Sequence, residues 1–477
     1  MNLKLLIALI FNFIIKQLAA QQNWIAPLPC YNPVFETIDK MFVDSLHNEI
    51  ILNSNAGFKA CNVTYKGVFA YDGSNFHDLD LGLDVFTTNQ STGGTKTMAS
   101  ITYGNKTLFG GAFYSVGSDT LYSKSIALWN GNVWDTFPKR CFSNKVNGSG
   151  GSIWGFLKNG GQLWMYGAFD TIGGIVAKNI CSFDGNTFTS RSIPVPDAFN
   201  YNVRKIIEFK NKLIAIGDFY NSTFTISRVA IYDGTNWASL GNGIKGSLSF
   251  IHDMIVFRDT LYIAGTWPQS SGNPSNYIMK WDGSQLRDAG FGSQYSVSNT
   301  INQLLVYRDR LYAFGGFTHA ANQKAYGVAY YQDGKWTVPQ DSIGNYGIRY
   351  AVVYNDAIYV AGAFKGINND TTIKNFAKLR CPDFDAANSC LSGVKENLRY
   401  SLEINVFPNP SNTILMIECG SVTAANITIV NSLGQIVLQK NTIEIKQELD
   451  VSHLKPGLYF LEVEAGLKKG RIKFLKE

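Results

Sequence analysis

Apolar and polar positions alternate in short runs along this chain, and no stretch carries the 3.6-residue period of an amphipathic helix. Six β-rich runs close on Gly-x-aromatic: Leu108 to Phe113, Leu163 to Phe169, Leu213 to Phe219, Leu261 to Trp267, Leu311 to Phe317 and Ile358 to Phe364. Successive closing aromatics lie 56, 50, 48, 50 and 47 residues apart. Between them recurs a turn dipeptide that tolerates positive φ: Asp72-Gly73, Asn130-Gly131, Asp184-Gly185, Asp233-Gly234, Asp282-Gly283 and Asp333-Gly334. Large apolar residues five apart flank each one: Tyr71 and Phe76, Trp129 and Trp134, Phe183 and Phe188, Tyr232 and Trp237, Trp281 and Leu286, Tyr331 and Trp336. A four-residue loop sets each pair opposite across two strands. In the sixth unit Asp-Gly slides by one position while the flanking spacing holds, so spacing is what the fold requires.

Each unit opens on a further strand-like run, such as Ile206 to Phe209 or Leu304 to Tyr307. Four short strands in about fifty residues predict a blade of a β-propeller. The run Phe42 to Leu52 with Asp72-Gly73 gives a first unit in which Leu52-Asn53-Ser54 replaces the Gly-x-aromatic ending. Five complete units follow, and a seventh, Ile348 to Arg380, stops before its fourth strand. Asn23 to Pro29 reads like that missing strand, and pairing it into the seventh unit removes two open edges. The expected fold is all-β: a seven-bladed propeller over residues 21–381, with six blades as the runner-up, followed by a small C-terminal β-sandwich.

The Gly-Gly-then-aromatic pattern, as in Gly315-Gly316 with Tyr331 and Trp336, resembles kelch and galactose-oxidase-type propellers. Ser125 to Trp134 also resembles repeats of fungal cortical polarity markers and of secreted bacterial propellers. These resemblances imply a fold and no particular activity, because propellers host many unrelated functions.

After Cys381 the pattern changes. Residues 382–400 read as a polar linker, and 401–477 alternate cleanly in strands. Val406-Phe407-Pro408-Asn409-Pro410-Ser411, then Ile427 to Gln435 with Gly434, then Asp450 to Tyr459 with Gly457, and the basic strand Lys468 to Lys476 with Lys473, stand in order. Together they closely resemble the type A C-terminal sorting domain of the bacterial type IX secretion system. The resemblance implies export across the outer membrane, with the secretion machinery and its sortase as partners. It also implies a cut within the linker, about Ser392 to Ser401, followed by release or by attachment to surface lipopolysaccharide. At the other end Lys4, the apolar run Leu5 to Ile15 and Ala19-Ala20 predict a secretory signal peptide over 1–20. The chain is therefore expected to be secreted, or held at the outer-membrane surface of a Gram-negative bacterium.

Composition narrows the function classes. The 477 residues are 45% apolar and only 16% charged, with 45 Gly, 24 Tyr and 31 Phe, which suits a large core of short strands. A net charge of +6 without a Lys/Arg run gives no nucleic-acid stripe. Beyond the signal peptide no run is apolar enough to span a membrane.

Seven cysteines in an exported chain predict disulfides with one thiol left over. The candidate pairs are Cys381 with Cys390, Cys30 with Cys61 and Cys141 with Cys181, leaving Cys419 as the orphan. No Cys-x-x-Cys, His-Glu-x-x-His, Gly-x-Ser-x-Gly or phosphate loop occurs, so no metal, cofactor or catalytic set is assigned. The five histidines, His47, His77, His252, His319 and His453, are read as ordinary surface or strand residues. In the loop Trp267 to Tyr277 the two end aromatics could stack on sugar rings, although Trp267 aligns with the core aromatics of the other units. The leading expectation is a non-enzymatic propeller that binds a glycan or protein. The alternatives are a secreted glycan-degrading hydrolase or lyase with its site at the channel, and a structural component of the cell envelope.

Overall fold

The structure is a computed structural model. It describes residues 24–27, 38–379 and 404–477, apart from 61–62, 80–95, 114, 117–120, 123–124, 138–142, 145–150, 195–201, 221–225, 247–248, 293–298, 340–346, 367–372, 420–424, 432–435, 443–445 and 466–467. The expected signal peptide, the expected linker with its cut, and Cys30, Cys61, Cys141, Cys381 and Cys390 lie outside the described residues. The chain is all-β and divides into two compact units, Met1–Asp385 and Ala386–Glu477. No described helix is long and apolar enough to cross a membrane.

The first unit holds seven four-stranded antiparallel sheets among its described residues. The fourth is typical: Val203–Phe209, Lys212–Tyr220, Ser227–Tyr232 and Trp237–Ser239 lie side by side in chain order. In the seventh, Ile348–Tyr354, Ala357–Gly362 and Phe376–Leu379 come from one stretch of chain, and the outer strand is Trp24–Ile25. Trp24 lies opposite Leu379 and Ile25 opposite Lys378, so the N-terminal segment supplies the missing strand.

The first strands of the sheets neighbour one another in a closed circuit. Lys40–Asp44 lies beside Lys96–Tyr103, then follow Ser152–Asn159, Val203–Phe209, Phe250–Phe257, Ile301–Tyr307 and Ile348–Tyr354, which returns to Lys40–Asp44. Seven buried apolar clusters occupy the seven junctions between consecutive sheets, including the seventh against the first. Trp24, fully buried, completes the cluster between the sixth and seventh sheets.

All six flanking pairs named above face each other in register across the outer hairpins. Ring centroids lie 4.5 Å apart for Phe183 and Phe188 and 5.4 Å for Tyr331 and Trp336. In the first five hairpins the Asp or Asn side chain closes the loop: Oδ1 of Asp233 accepts from the amides of Thr235 at 2.8 Å and Asn236 at 2.7 Å. In the sixth, Asp333 and Gly334 both take positive φ and form a two-residue turn, with Gln332 opposite Lys335. The dipeptide moves and the aromatic register stays.

The repeat glycine has a steric cause. In six sheets the first strand carries a one-residue bulge opposite it, between Thr97 and Ala99, Ile153 and Gly155, Val203 and Lys205, Ile251 and Asp253, Ile301 and Gln303, and Ile348 and Tyr350. The bulge brings backbone close to the second strand. A Cβ on Gly167, Gly217, Gly265 or Gly315 would overlap the carbonyl oxygen of Ser152, Asn202, Phe250 or Thr300 respectively. In the first sheet, Lys40–Asp44 pairs with Glu49–Ala60 without a bulge, and Ser54 stands where the others have glycine. Where the sequence ending is irregular, the first strand has no bulge and the register shift falls instead between the second and third strands, from Ser54 to Phe58.

The second unit has a three-stranded sheet, Ile404–Phe407, Ile414–Cys419 and Lys446–Asp450, and a four-stranded one, Ile436–Thr442, Ala425–Asn431, Gly457–Ala465 and Lys468–Lys476. Leu415, Ile417 and Leu449 of the first share one buried cluster with Ile427, Ile429, Leu461, Val463 and Phe474 of the second. Strands that alternate apolar and polar bury one face each, which makes a sandwich.

Two glycines separate steric from conformational causes. Gly217→Ala drives a methyl into Asn202 O and is expected to cost about 3 kcal/mol. Gly234→Ala, at a turn with open space around it, is expected to cost ~1 kcal/mol from positive φ alone. Thermal unfolding of the two variants checks the order.

Candidate functional site

A cavity of about 950 Å³ lies within the circuit of first strands and is lined from all seven sheets. The six bulged residues, Met98, Trp154, Arg204, His252, Asn302 and Arg349, all line it. Each stands 13 positions before the repeat glycine of its own sheet: Gly111, Gly167, Gly217, Gly265, Gly315 and Gly362. Lys40, from the sheet whose first strand has no bulge, completes the ring. A bulge re-aims a side chain, and here the same device in six sheets turns six otherwise unrelated residues toward one space. The sequence reading missed this ring, and the spacing to the repeat glycine is the signal that locates it.

The ring is charged and aromatic. Both oxygens of Asp253 are taken: Oδ1 accepts from Lys205 Nζ at 2.6 Å and Met254 N at 2.9 Å, and Oδ2 accepts from Leu304 N at 2.8 Å. That carboxylate ties the fourth, fifth and sixth sheets together. Arg204 donates twice to Asp218 Oδ2, at 3.1 and 2.9 Å, and its guanidinium lies 5.6 Å from the centre of a Trp154 ring. Arg349 reaches Asp39 at 3.8 Å. Asn302 donates to Ile348 O at 2.7 Å, and Gln303 brackets Ala351 with two bonds of 2.8 Å.

Lys40 differs from the other cations. Its Nζ lies 5.0 Å over the Tyr350 ring, and no described carboxylate sits within ion-pair distance. Burial lowers its pKa to about 8; the nearby charge of Asp253 opposes that shift, while Lys205 and Arg204 add to it. Burial, reinforced by Arg204, pushes His252 down to about 4, so its imidazole is neutral at pH 7. Burial raises the Tyr166 and Tyr350 phenols to about 12.

Other sequence candidates fall elsewhere. His47 and His77 line a smaller cavity of about 150 Å³, where His47 Nδ1 meets Asp44 Oδ2 at 2.7 Å and His77 Nε2 meets Glu49 Oε1 at 3.0 Å. His319 and His453 are exposed. His252 is not an ordinary strand histidine, since it belongs to the ring. Trp267 and Tyr277 are fully buried, and Trp267 Nε1 donates to Ser275 O at 2.8 Å, so neither offers a face to a sugar. Among the described residues no His, Cys, Asp or Glu group could hold a metal ion.

Cys181 corrects the pairing expected with Cys141. It is a free, buried thiol whose Sγ donates to Ser182 O at 3.4 Å. Its strand turns it into the apolar cluster between the second and third sheets, where burial raises the thiol to about 12 and keeps it protonated.

In the C-terminal unit the residues expected to form the sorting motif pin the last strand. Asn409 Oδ1 accepts from Leu475 N at 2.9 Å and its Nδ2 donates to Lys473 O at 3.3 Å. Ser411 N donates to Leu475 O at 2.9 Å, and Glu477 N donates to Ser411 O at 3.1 Å. Pro408 and Pro410, which carry no N–H, flank Asn409 and leave its side chain to act as a strand edge. Tyr459 lies opposite Phe474 with ring centroids 5.7 Å apart, and its hydroxyl donates to Lys455 O at 2.9 Å. Gly457 pairs with Lys476, Lys473 is exposed, and Gly434 lies outside the described residues.

Residues 405–477 match the model of the secretion system C-terminal sorting domain. This tail indicates export by the type IX secretion system, and the protein is extracellular, either secreted or at the cell surface. No curated protein matches the chain. Among solved structures it is similar to PorZ, a surface component of the type IX secretion system of Porphyromonas gingivalis, at 12% identity and a TM-score of 0.37, over 90% of this chain and 64% of that one. The chain thus spans just under two thirds of that protein's length. It is also similar to the extracellular domain of a hybrid two-component system from B. thetaiotaomicron, at 9% identity and a TM-score of 0.39, over 93% and 69%. A fungal alcohol oxidase in complex with copper aligns at 11% identity and a TM-score of 0.36, over 95% and 99%. Likenesses this distant carry no functional argument.

Two expected outcomes follow from these contacts. The unfolded chain takes up a proton at His252 below about 6.5 and the folded chain only near 4, so this residue's stabilisation is full above 6.5 and is lost as pH falls toward 4. His252→Asn is expected to lose ~2 kcal/mol less than the parent between those pH values, measured by denaturant unfolding. Asn409→Ala removes two bonds to the last strand and is expected to destabilise the tail by ~1 to 2 kcal/mol, read by hydrogen exchange at Lys473 to Glu477.

Proposed function

We propose that the first unit is a seven-bladed β-propeller that captures a glycan or protein ligand in its central cavity, and that the sorting tail delivers it to the cell surface or the medium. The closed circuit of first strands and the strand supplied by Trp24–Ile25 support the blade count. The observation that carries the binding reading is the convergence of six bulged side chains and Lys40 on one cavity. Its volume lies at the upper end of the range usual for small-molecule sites.

Binding is favoured over glycoside cleavage by the one described carboxylate that lines the cavity. Asp253 has both oxygens occupied, whereas hydrolysis of a glycosidic bond uses two carboxyl groups that are free to act. In this reading the mature chain begins after Ala20, residues 21–381 form the propeller, and the sortase cuts the 382–400 linker. Release, or attachment to surface lipopolysaccharide, then sets the final location.

A polysaccharide and protein array probed with the full exported chain tests the assignment. Saturable binding that Ala99→Phe abolishes, by filling the cavity from the second sheet, is the expected outcome. New reducing ends or unsaturated products would instead establish the enzyme.

A further inference from the structure

Resting on that reading of the cavity, the geometry points to an acidic saccharide as its ligand, the carboxylate or sulfate of one sugar unit being held by Lys40. Three of the four cations that line the cavity already have carboxylates: Lys205 has Asp253, Arg204 has Asp218, and Arg349 has Asp39. Lys40 faces the Tyr350 ring and no described carboxylate. Lys40 is part-buried with no described carboxylate within ion-pair distance, and an anionic group entering the cavity would supply a direct partner. Lys205 and Arg204 act on Lys40 from the fourth sheet, and their repulsion opposes the stronger attraction of Asp253.

The lining argues for a sugar over a bare inorganic ion. The volume of about 950 Å³ far exceeds what one sulfate fills. The lining includes the aromatic residues Trp154, Phe156, Tyr166 and Tyr350 together with Ser100 and Thr300, and Tyr350 lies under Lys40. Apolar faces beside a few placed polar groups suit a pyranose ring, whose CH faces and hydroxyl edges differ in the same way.

Titration calorimetry on the full chain tests this, with trigalacturonate, a chondroitin sulfate disaccharide, neutral cellotriose and inorganic sulfate as probes. At least one acidic saccharide is expected to bind about tenfold or more tighter than cellotriose, and to weaken as NaCl rises from about 50 to about 300 mM. Lys40→Met keeps the stem and removes the charge; it is expected to weaken that probe about tenfold while leaving the unfolding temperature equal or higher. Arg349→Gln, whose charge Asp39 already balances, is expected to change affinity less. Equal affinity for cellotriose, or no effect of Lys40→Met, overturns the acidic ligand, and the cavity reading survives if Ala99→Phe still blocks binding. Inorganic sulfate binding as tightly as the saccharides overturns the sugar. Acidic saccharides that bind regardless of both Lys40→Met and Ala99→Phe overturn the cavity reading as well.

Discussion

The close approach between a bulged first strand and the glycine opposite it is the constraint on which the rest of the first unit depends. A bulge adds one residue to a strand, bends it and presses its backbone toward the neighbour. Only a residue without Cβ tolerates that approach, as the overlaps at Gly167, Gly217, Gly265 and Gly315 demonstrate. The residue gained by the bulge then points inward. One steric accommodation therefore produces both the sequence repeat and the ring of side chains in the cavity.

The bulge does not hold the sheets together. That comes from apolar packing at seven junctions, closed by the first sheet against the seventh and by Trp24 against the sixth and seventh. Each outer hairpin adds a facing aromatic or aromatic–leucine pair to a core, and this is why the five-residue spacing survives where the Asp-Gly dipeptide shifts. At the solvent side, Lys210, Arg258 and Arg308 reach to Asp259, Asp309 and Asp356 of the following sheets. These pairs are exposed, so each contributes little to stability; the apolar junctions do most of the holding.

Within the cavity, charge is arranged by sharing across sheets. Asp253 accepts from a lysine of the preceding sheet and a backbone amide of the following one, which neutralises a cation and fixes three first strands in register. Lys40 comes from the sheet whose first strand has no bulge and has no such partner among the described residues. The least regular sheet thus supplies the most distinctive charge. The tail follows a different logic, in which the Pro-Asn-Pro segment uses one side chain as a strand edge to anchor the last strand.

Sequence alone determined the period, the hairpins, the supply of the seventh sheet's outer strand from the N-terminus, and the sorting tail. Each is a local pattern or a pairing of complementary edges, written in residues near one another or in ordered motifs. It did not disclose the cavity, because its ring is drawn from residues about fifty positions apart that share no chemical type: Lys40, Met98, Trp154, Arg204, His252, Asn302 and Arg349. Nor did it place Cys181, whose strand register sends the thiol into an apolar junction. Which side chains meet was decided only when the first strands closed their circuit, since a bulge fixes the direction of a side chain while the circuit fixes its neighbours.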